Sequence, residues 1–167
     1  MTLEEFNALS TGEAEKYLKD CNAAERWASQ LTAARPFASV AEWKSAAEKI
    51  WLSLGEQDYL QAFEAHPMIG DVDSLRKKYA STKAMASGEQ SGAAGADEAT
   101  LAELSKLNHE YLEKFGFIFI VFATGKSAAE MLALLKARIG NDRETEIQNA
   151  AGEQLKITLL RLNKLLA

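Results

Sequence analysis

Ser39-Val40-Ala41-Glu42-Trp43-Lys44-Ser45-Ala46-Ala47-Glu48-Lys49-Ile50-Trp51-Leu52-Ser53-Leu54-Gly55 carries the pattern on which the architecture rests. Its apolar positions Val40, Trp43, Ala47, Ile50, Trp51 and Leu54 recur at the period of one helix face. Ser39 stands three residues before Glu42, the pairing of a reciprocal N-terminal cap. Gly55 is placed to close the helix in the left-handed conformation. The same opening recurs at Ser10-Thr11-Gly12-Glu13 and Ser127-Ala128-Ala129-Glu130, with a weaker asparagine variant at Asn22-Ala23-Ala24-Glu25.

Further helices follow from the same period. Leu101, Leu104, Leu107, Tyr111, Leu112 and Phe115 form a face that ends at Gly116, and Met131, Leu132, Leu134, Leu135 and Ile139 form one that ends at Gly140. From Asp142 onward, Ile147, Ala151, Leu155, Thr158, Leu159, Leu162 and Leu166 share one broad side, which predicts a last helix lying across the core. Nothing alternates helix with strand as a parallel sheet would require. The chain of 167 residues therefore reads as all-α, a single-domain helical bundle over residues 1–167.

Two stretches break the helical rule. Ser87-Gly88-Glu89-Gln90-Ser91-Gly92-Ala93-Ala94-Gly95 is small and Gly-rich, compatible with a flexible linker or with a loop that displays binding groups. Phe117-Ile118-Phe119-Ile120-Val121-Phe122 lies between Gly116 and Gly125. It reads either as a short extended segment or as core continuous with the preceding helix. An extended chain without a partner strand would need other groups for its N–H and C=O.

Composition excludes several classes of function. A net charge of −5 and a single short basic run, Arg76-Lys77-Lys78, do not make a phosphate-binding surface, so no nucleic-acid partner is expected. No apolar run approaches the roughly 20 residues that span a bilayer, and Met1-Thr2-Leu3-Glu4-Glu5 lacks the features of a signal peptide. The ending Lys164-Leu165-Leu166-Ala167 does not match the peroxisomal address. A cytoplasmic location without a membrane partner is the expectation. Cys21 is the sole cysteine, which rules out an intrachain disulfide.

Candidate chemistry centres on two histidines. Pro67 biases His66 away from helical backbone, so a helix should end near Ala65 and present the imidazole at a rigid corner followed by Met68-Ile69-Gly70. The helix end would favour the protonated ring. On the dipeptide alone, a purely structural histidine is the competing reading. His109 lies within a helical face and reads as a surface or packing residue. Neither a His-Glu-x-x-His cluster nor a Gly-rich phosphate signature occurs, so no metal or nucleotide cofactor is expected.

Taken in order, His66-Pro67-Met68-Ile69-Gly70, Gly88-Glu89-Gln90-Ser91-Gly92-Ala93, Leu107-Asn108 with Tyr111, and Lys114-Phe115-Gly116-Phe117 resemble the OHCU decarboxylase family. The similarity runs from Phe6 through Arg138-Ile139-Gly140-Asn141 to Lys156-Ile157-Thr158 and Arg161-Leu162. The resemblance implies a helical bundle in which the extended apolar segment lies near the active site. It implies conversion of 2-oxo-4-hydroxy-4-carboxy-5-ureidoimidazoline (OHCU) to (S)-allantoin in uric acid breakdown, with no metal or organic cofactor. Residue by residue it assigns His66 and Glu89 as catalytic groups. It assigns Pro67, Gln90, Arg161 and the backbone of Phe117, Ile118, Phe119 and Ile120 to substrate binding. Arg161 is preferred to Arg143 for its place in the Ile-Thr-Leu-Leu-Arg-Leu ending. Where family members often carry Ser three residues before the Glu, this chain has Ala86, which makes the neighbouring Ser87 the candidate contact. A homodimer is compatible with the resemblance. The alternatives are a non-catalytic helical interaction module and a helical metalloprotein.

Overall fold

Short local signals start most of the helices. In the computed structural model, which describes residues 1–68, 71–77 and 98–166, α1 (Leu3–Ala8) opens on Thr2, whose hydroxyl accepts from the Glu5 N–H while the Glu5 carboxylate accepts from the Thr2 N–H. Ser10 caps α2 (Thr11–Cys21) by accepting from the Glu13 N–H at 3.2 Å. α3 (Glu25–Ala33) has no side-chain cap of its own at Ala24. Gln61, further along the chain, fills that role, accepting from the Glu25 N–H at 2.9 Å. Ser39 caps α4 (Val40–Leu52), and α5 spans Glu56–Glu64.

Residues 72–77 form a short helical stretch. They are followed by α6 (Glu98–Phe115), α7 (Ala128–Ile139) capped by Ser127, and α8 (Arg143–Leu165). No strand occurs among the described residues, in keeping with the all-α expectation. None of their helices is long and apolar enough to cross a membrane.

Three local expectations are corrected. Asn22 does not cap α3, because its side chain turns into the interior. Gly55 does not close α4 in the left-handed region. It is extended (φ −107°, ψ −179°) and sits at the N-cap of α5, while α4 already ends at Leu52 with Ser53 in the right-handed helical region. On α8 the buried stripe runs through Ile147, Ala151, Gln154, Thr158 and Leu162, with Leu155 and Leu159 only half-buried at its flank. The polar Gln154 thus takes a core position that hydrophobicity would give to its neighbour.

The chain organises into two units, one formed by residues 1–66 with 149–167 and the other by residues 67–148. In the first, α3 packs against α2, α4 and α5, and Trp27, Trp43 and Trp51 are fully buried. A buried Trp removes on the order of 150–250 Å² from water, an upper limit of about 4–6 kcal/mol each. Two of the indoles also tie helices together. Trp27 Nε1 donates to Ala47 O at 3.0 Å and Trp51 Nε1 to Ala151 O at 2.9 Å. Phe6 packs on Trp43 with ring centres 5.2 Å apart, and Arg35 closes the end of α1 by donating to the carbonyls of Phe6 and Leu9.

In the second unit α6 packs against α7, burying Leu101, Leu104, Tyr111 and Phe115 with Met131, Leu132 and Leu135. Gly116 closes α6 with φ +81°, a conformation that favours glycine. The run after it is irregular chain, not strand. Its carbonyls find cationic side chains, since Arg138 Nη1 donates to Ile120 O at 2.6 Å and Lys126 Nζ to Phe122 O at 2.6 Å. At the start of α8, fully buried Glu146 accepts from the Tyr111 hydroxyl, from Arg138 Nε at 2.8 Å and from Asn141 Nδ2 at 2.9 Å.

Candidate active site

Pro67 disfavours helical backbone at the residue before it, and α5 accordingly ends at Glu64 with Ala65 as C-cap. The His66 N–H then donates to Phe63 O at 3.1 Å. This corner leaves the imidazole half-buried, with Nε2 2.6 Å from Gln154 Oε1.

A buried polar chain stands behind Gln154. Its Nε2 donates to Thr158 Oγ1 at 3.2 Å, and the Thr158 hydroxyl donates to the backbone oxygen of Gln154 at 2.8 Å. Asn22 Nδ2 donates to the same Thr158 oxygen at 3.2 Å, and Asn22 Oδ1 accepts from the Ala24 N–H at 3.0 Å. Asn22, Gln154 and Thr158 are 1%, 1% and 0% exposed. Buried polar groups cost free energy unless paired, and this chain satisfies them in series from a backbone amide to the imidazole.

A cavity of about 440 Å³ opens at His66, wholly within the first unit. Lys19, Asp20 and Ala23 line one wall, Ala62 and Ala65 another, and Gln154 and Arg161 the side formed by α8. Arg161 Nη1 donates to Cys21 O at 3.3 Å, which tethers the guanidinium. Its remaining N–H donors are available to a ligand. With Lys19 and Arg161 against one carboxylate, Asp20, the walls carry a positive balance suited to an anion.

The His66 pKa is lowered, chiefly by burial and further by the Arg161 charge, against the opposing effect of the bond to Gln154. The helix-end argument for a protonated ring is therefore corrected. Burial, the largest influence on the ring, disfavours the charged imidazolium.

The structure brings His66 and Arg161 to one cavity. Pro67 follows His66 and is exposed. Phe117, Ile118, Phe119 and Ile120 belong to the second unit. There Phe117 and Ile120 are buried, and the Arg138 guanidinium sits 4.6 Å from the Phe119 ring centre. Arg143 is engaged in that unit too, donating from Nε to Phe115 O at 3.1 Å. Ser87, Glu89 and Gln90 lie outside the described residues. His109 is exposed, with Nδ1 2.8 Å from Ser105 O, as expected of a surface histidine. Arg76, also exposed, is ion-paired with Asp73 and Glu98, so the basic run is partly neutralised. Sequence reading missed Lys19, Asp20 and Gln154. Only Gln154 left a signal, a polar residue that joins Thr158 in a largely apolar helical stripe.

A family model described as OHCU decarboxylase matches residues 7–163. The chain is 38% identical to the uric acid degradation bifunctional protein TTL of Arabidopsis thaliana over 95% of its own length and 48% of that protein. It is 27% identical to the 2-oxo-4-hydroxy-4-carboxy-5-ureidoimidazoline decarboxylase of Haloferax volcanii, covering 97% of this chain and 94% of that one. Against the bifunctional relatives it thus spans only part of their length, about half for TTL and 32% for PucL of Bacillus subtilis. Among solved structures, a crystal structure of OHCU decarboxylase in the presence of (S)-allantoin superposes with a TM-score of 0.72 at 36% identity, covering 91% of this chain and 97% of that one. A structure of (S)-allantoin synthase, at 18% identity and a TM-score of 0.71, shares the fold. On the family match over nearly its whole length, the chain belongs to the OHCU decarboxylase family.

Proposed function

We propose that this chain decarboxylates OHCU to (S)-allantoin in uric acid degradation, with His66 as its acid–base group. The observation that carries the reading is a half-buried imidazole facing a cavity of about 440 Å³ that also presents Arg161 and Lys19, in a member of this family. That volume lies in the range of about 300–1,000 Å³ usual for small-molecule sites.

The substrate carries its own electron sink. Its carboxylate and hydroxyl share one ring carbon, next to a ring C=N carbon that bears the ureido group. As the C–C bond breaks, its electron pair forms a double bond between the two ring carbons, and the C=N pair moves onto nitrogen, which takes a proton. Loss of the hydroxyl proton and protonation of the ureido-bearing carbon then give the ketone and its stereocentre, one proton being consumed for each CO2 released. This redistribution requires no external electron acceptor.

The protein has to hold the breaking bond perpendicular to the ring and deliver the last proton to one face. A neutral His66 is suited to take the hydroxyl proton and return it to carbon, help of the order of 10²–10⁴-fold. Glu89 is the second catalytic group that the family resemblance assigns. Arg161 belongs on a ring or ureido oxygen, because a clamp on the departing carboxylate would stabilise the ground state. Pro67, Ser87, Gln90 and the backbone of Phe117 to Ile120 complete the proposed contacts.

The test is a stereochemically resolved assay on freshly generated OHCU, following its loss and the circular dichroism of the allantoin formed. His66→Ala should fall to the uncatalysed rate while keeping its helical spectrum and cooperative melt. A folded variant that retains the parent rate rejects the assignment.

A further inference from the structure

We propose that Gln154 is a positioning residue that fixes the tautomer of His66, keeping a proton on Nε2 and leaving Nδ1 as the nitrogen that exchanges protons with substrate. The inference rests on His66 being the acid–base group and adds which of its nitrogens reacts and what selects it.

The assignment starts from a donor that cannot turn round. The Ala24 N–H donates to an Asn22 side-chain atom at 3.0 Å, which must be the amide oxygen. The Asn22 NH₂ is thereby directed at Thr158 Oγ1, 3.2 Å away, and occupies one of its lone pairs. The single hydroxyl proton of Thr158 has an acceptor at 2.8 Å in the backbone oxygen of Gln154. The remaining lone pair of Thr158 faces the Gln154 amide at 3.2 Å and can only accept, so that end of the amide is NH₂. Gln154 therefore turns its oxygen to His66, and an amide oxygen 2.6 Å from Nε2 requires a proton on Nε2. In the neutral ring Nδ1 then carries the lone pair.

Burial gives this chain its rigidity. Asn22, Thr158 and Gln154 are each at most 1% exposed, so water is not at hand to replace a partner if one amide flips. Reversing Gln154 would set its NH₂ against the Nε2–H, donor against donor, unless the ring also changed tautomer, and would pull the Thr158 proton from its carbonyl. His109 supplies an internal contrast, since its Nδ1 lies 2.8 Å from the Ser105 carbonyl, an acceptor only, and its proton must sit on Nδ1. The two histidines of the chain are thus expected in opposite tautomers.

Long-range proton–nitrogen correlation spectra of the full chain labelled with ¹⁵N-histidine, recorded without substrate at about pH 8 where a histidine of ordinary pKa is neutral, read both rings directly. The Nε2–H pattern is expected for His66 and the Nδ1–H pattern for His109, with His109→Gln assigning the signals and leaving turnover unchanged. An Nδ1–H pattern for His66 overturns the proposal without any variant having to fold.

Thr158→Val keeps shape and removes the anchor of the amide. It should mix the His66 tautomers and lower kcat by the same factor as the surviving Nε2–H fraction, with KM held. A fall in kcat with the tautomer unchanged would make the chain merely structural and also overturn the proposal. Gln154→Glu should move the acid limb of the pH profile upward, because a carboxylate at Nε2 stabilises the imidazolium; an unmoved limb in the folded variant counts against it. Failure of the catalytic reading is distinguishable, since a fully active His66→Ala would sink that reading whatever the spectra show.

Discussion

At His66 burial and two neighbours act on one ring. Burial lowers its pKa, Arg161 lowers it further and Gln154 opposes both. The free protein should therefore hold a neutral imidazole at neutral pH. The acid limb of kcat/KM is expected below about pH 6.5, the ordinary histidine value. The same shift has a consequence for stability. With the folded pKa below the unfolded one, the unfolded chain binds the additional proton in the interval between them. The His66 contribution is then complete above about pH 6.5 and is lost as pH falls through the folded value. Urea midpoints measured across that window should decline towards acid, and less steeply in His66→Gln. Parallel declines in the two proteins would contradict the shift. The corner itself was legible because a proline acts on its immediate neighbour. Gln154 was not, because its partner His66 is 88 positions away in sequence.

The helices divide in the same way between local and distant causes. Ser10, Ser39 and Ser127 cap as their sequences dictate, since donor and acceptor lie within one turn. Asn22 has the same side-chain chemistry but is drawn to Thr158, 136 positions on, and α3 borrows Gln61 as its cap instead. The irregular run after α6 was readable as non-helical from its flanking glycines. The groups that satisfy its carbonyls were not, because Arg138 comes from α7. Glu146 joins this same region as a buried carboxylate shared by Tyr111, Arg138 and Asn141. Removing it leaves the largely buried Arg138 without its counter-ion, and breaking a buried pair of this kind costs about 3–5 kcal/mol. Glu146→Ala should lose stability of that order in chemical denaturation, whereas Glu146→Gln, which retains an acceptor oxygen, should lose clearly less. Equal losses would show that the retained acceptor oxygen cannot stand in for the negative charge.

Across the molecule α8 is the element that both units use, entering the one formed by residues 67–148 through Glu146 and the one containing residues 149–167 through Gln154, Thr158 and Leu162. Gly152 lies in the middle of that helix, exposed, and a Cβ built there meets nothing within 4 Å. A glycine in a helix interior carries backbone entropy that alanine does not, worth about 0.5–1 kcal/mol. Gly152→Ala should accordingly raise the melting temperature by about 1–4 °C, as expected for a domain of this size. Because α8 enters both units, the gain should appear as one shifted transition when probed by Trp fluorescence, which reports the first unit, and by far-ultraviolet circular dichroism, which reports all helices. Two transitions, only one of them displaced, would mean that the units melt independently despite sharing the helix. A lower melting temperature would mean that the backbone at residue 152 needs freedom that alanine denies, and would point to bending of α8 beside Gln154 and Arg161.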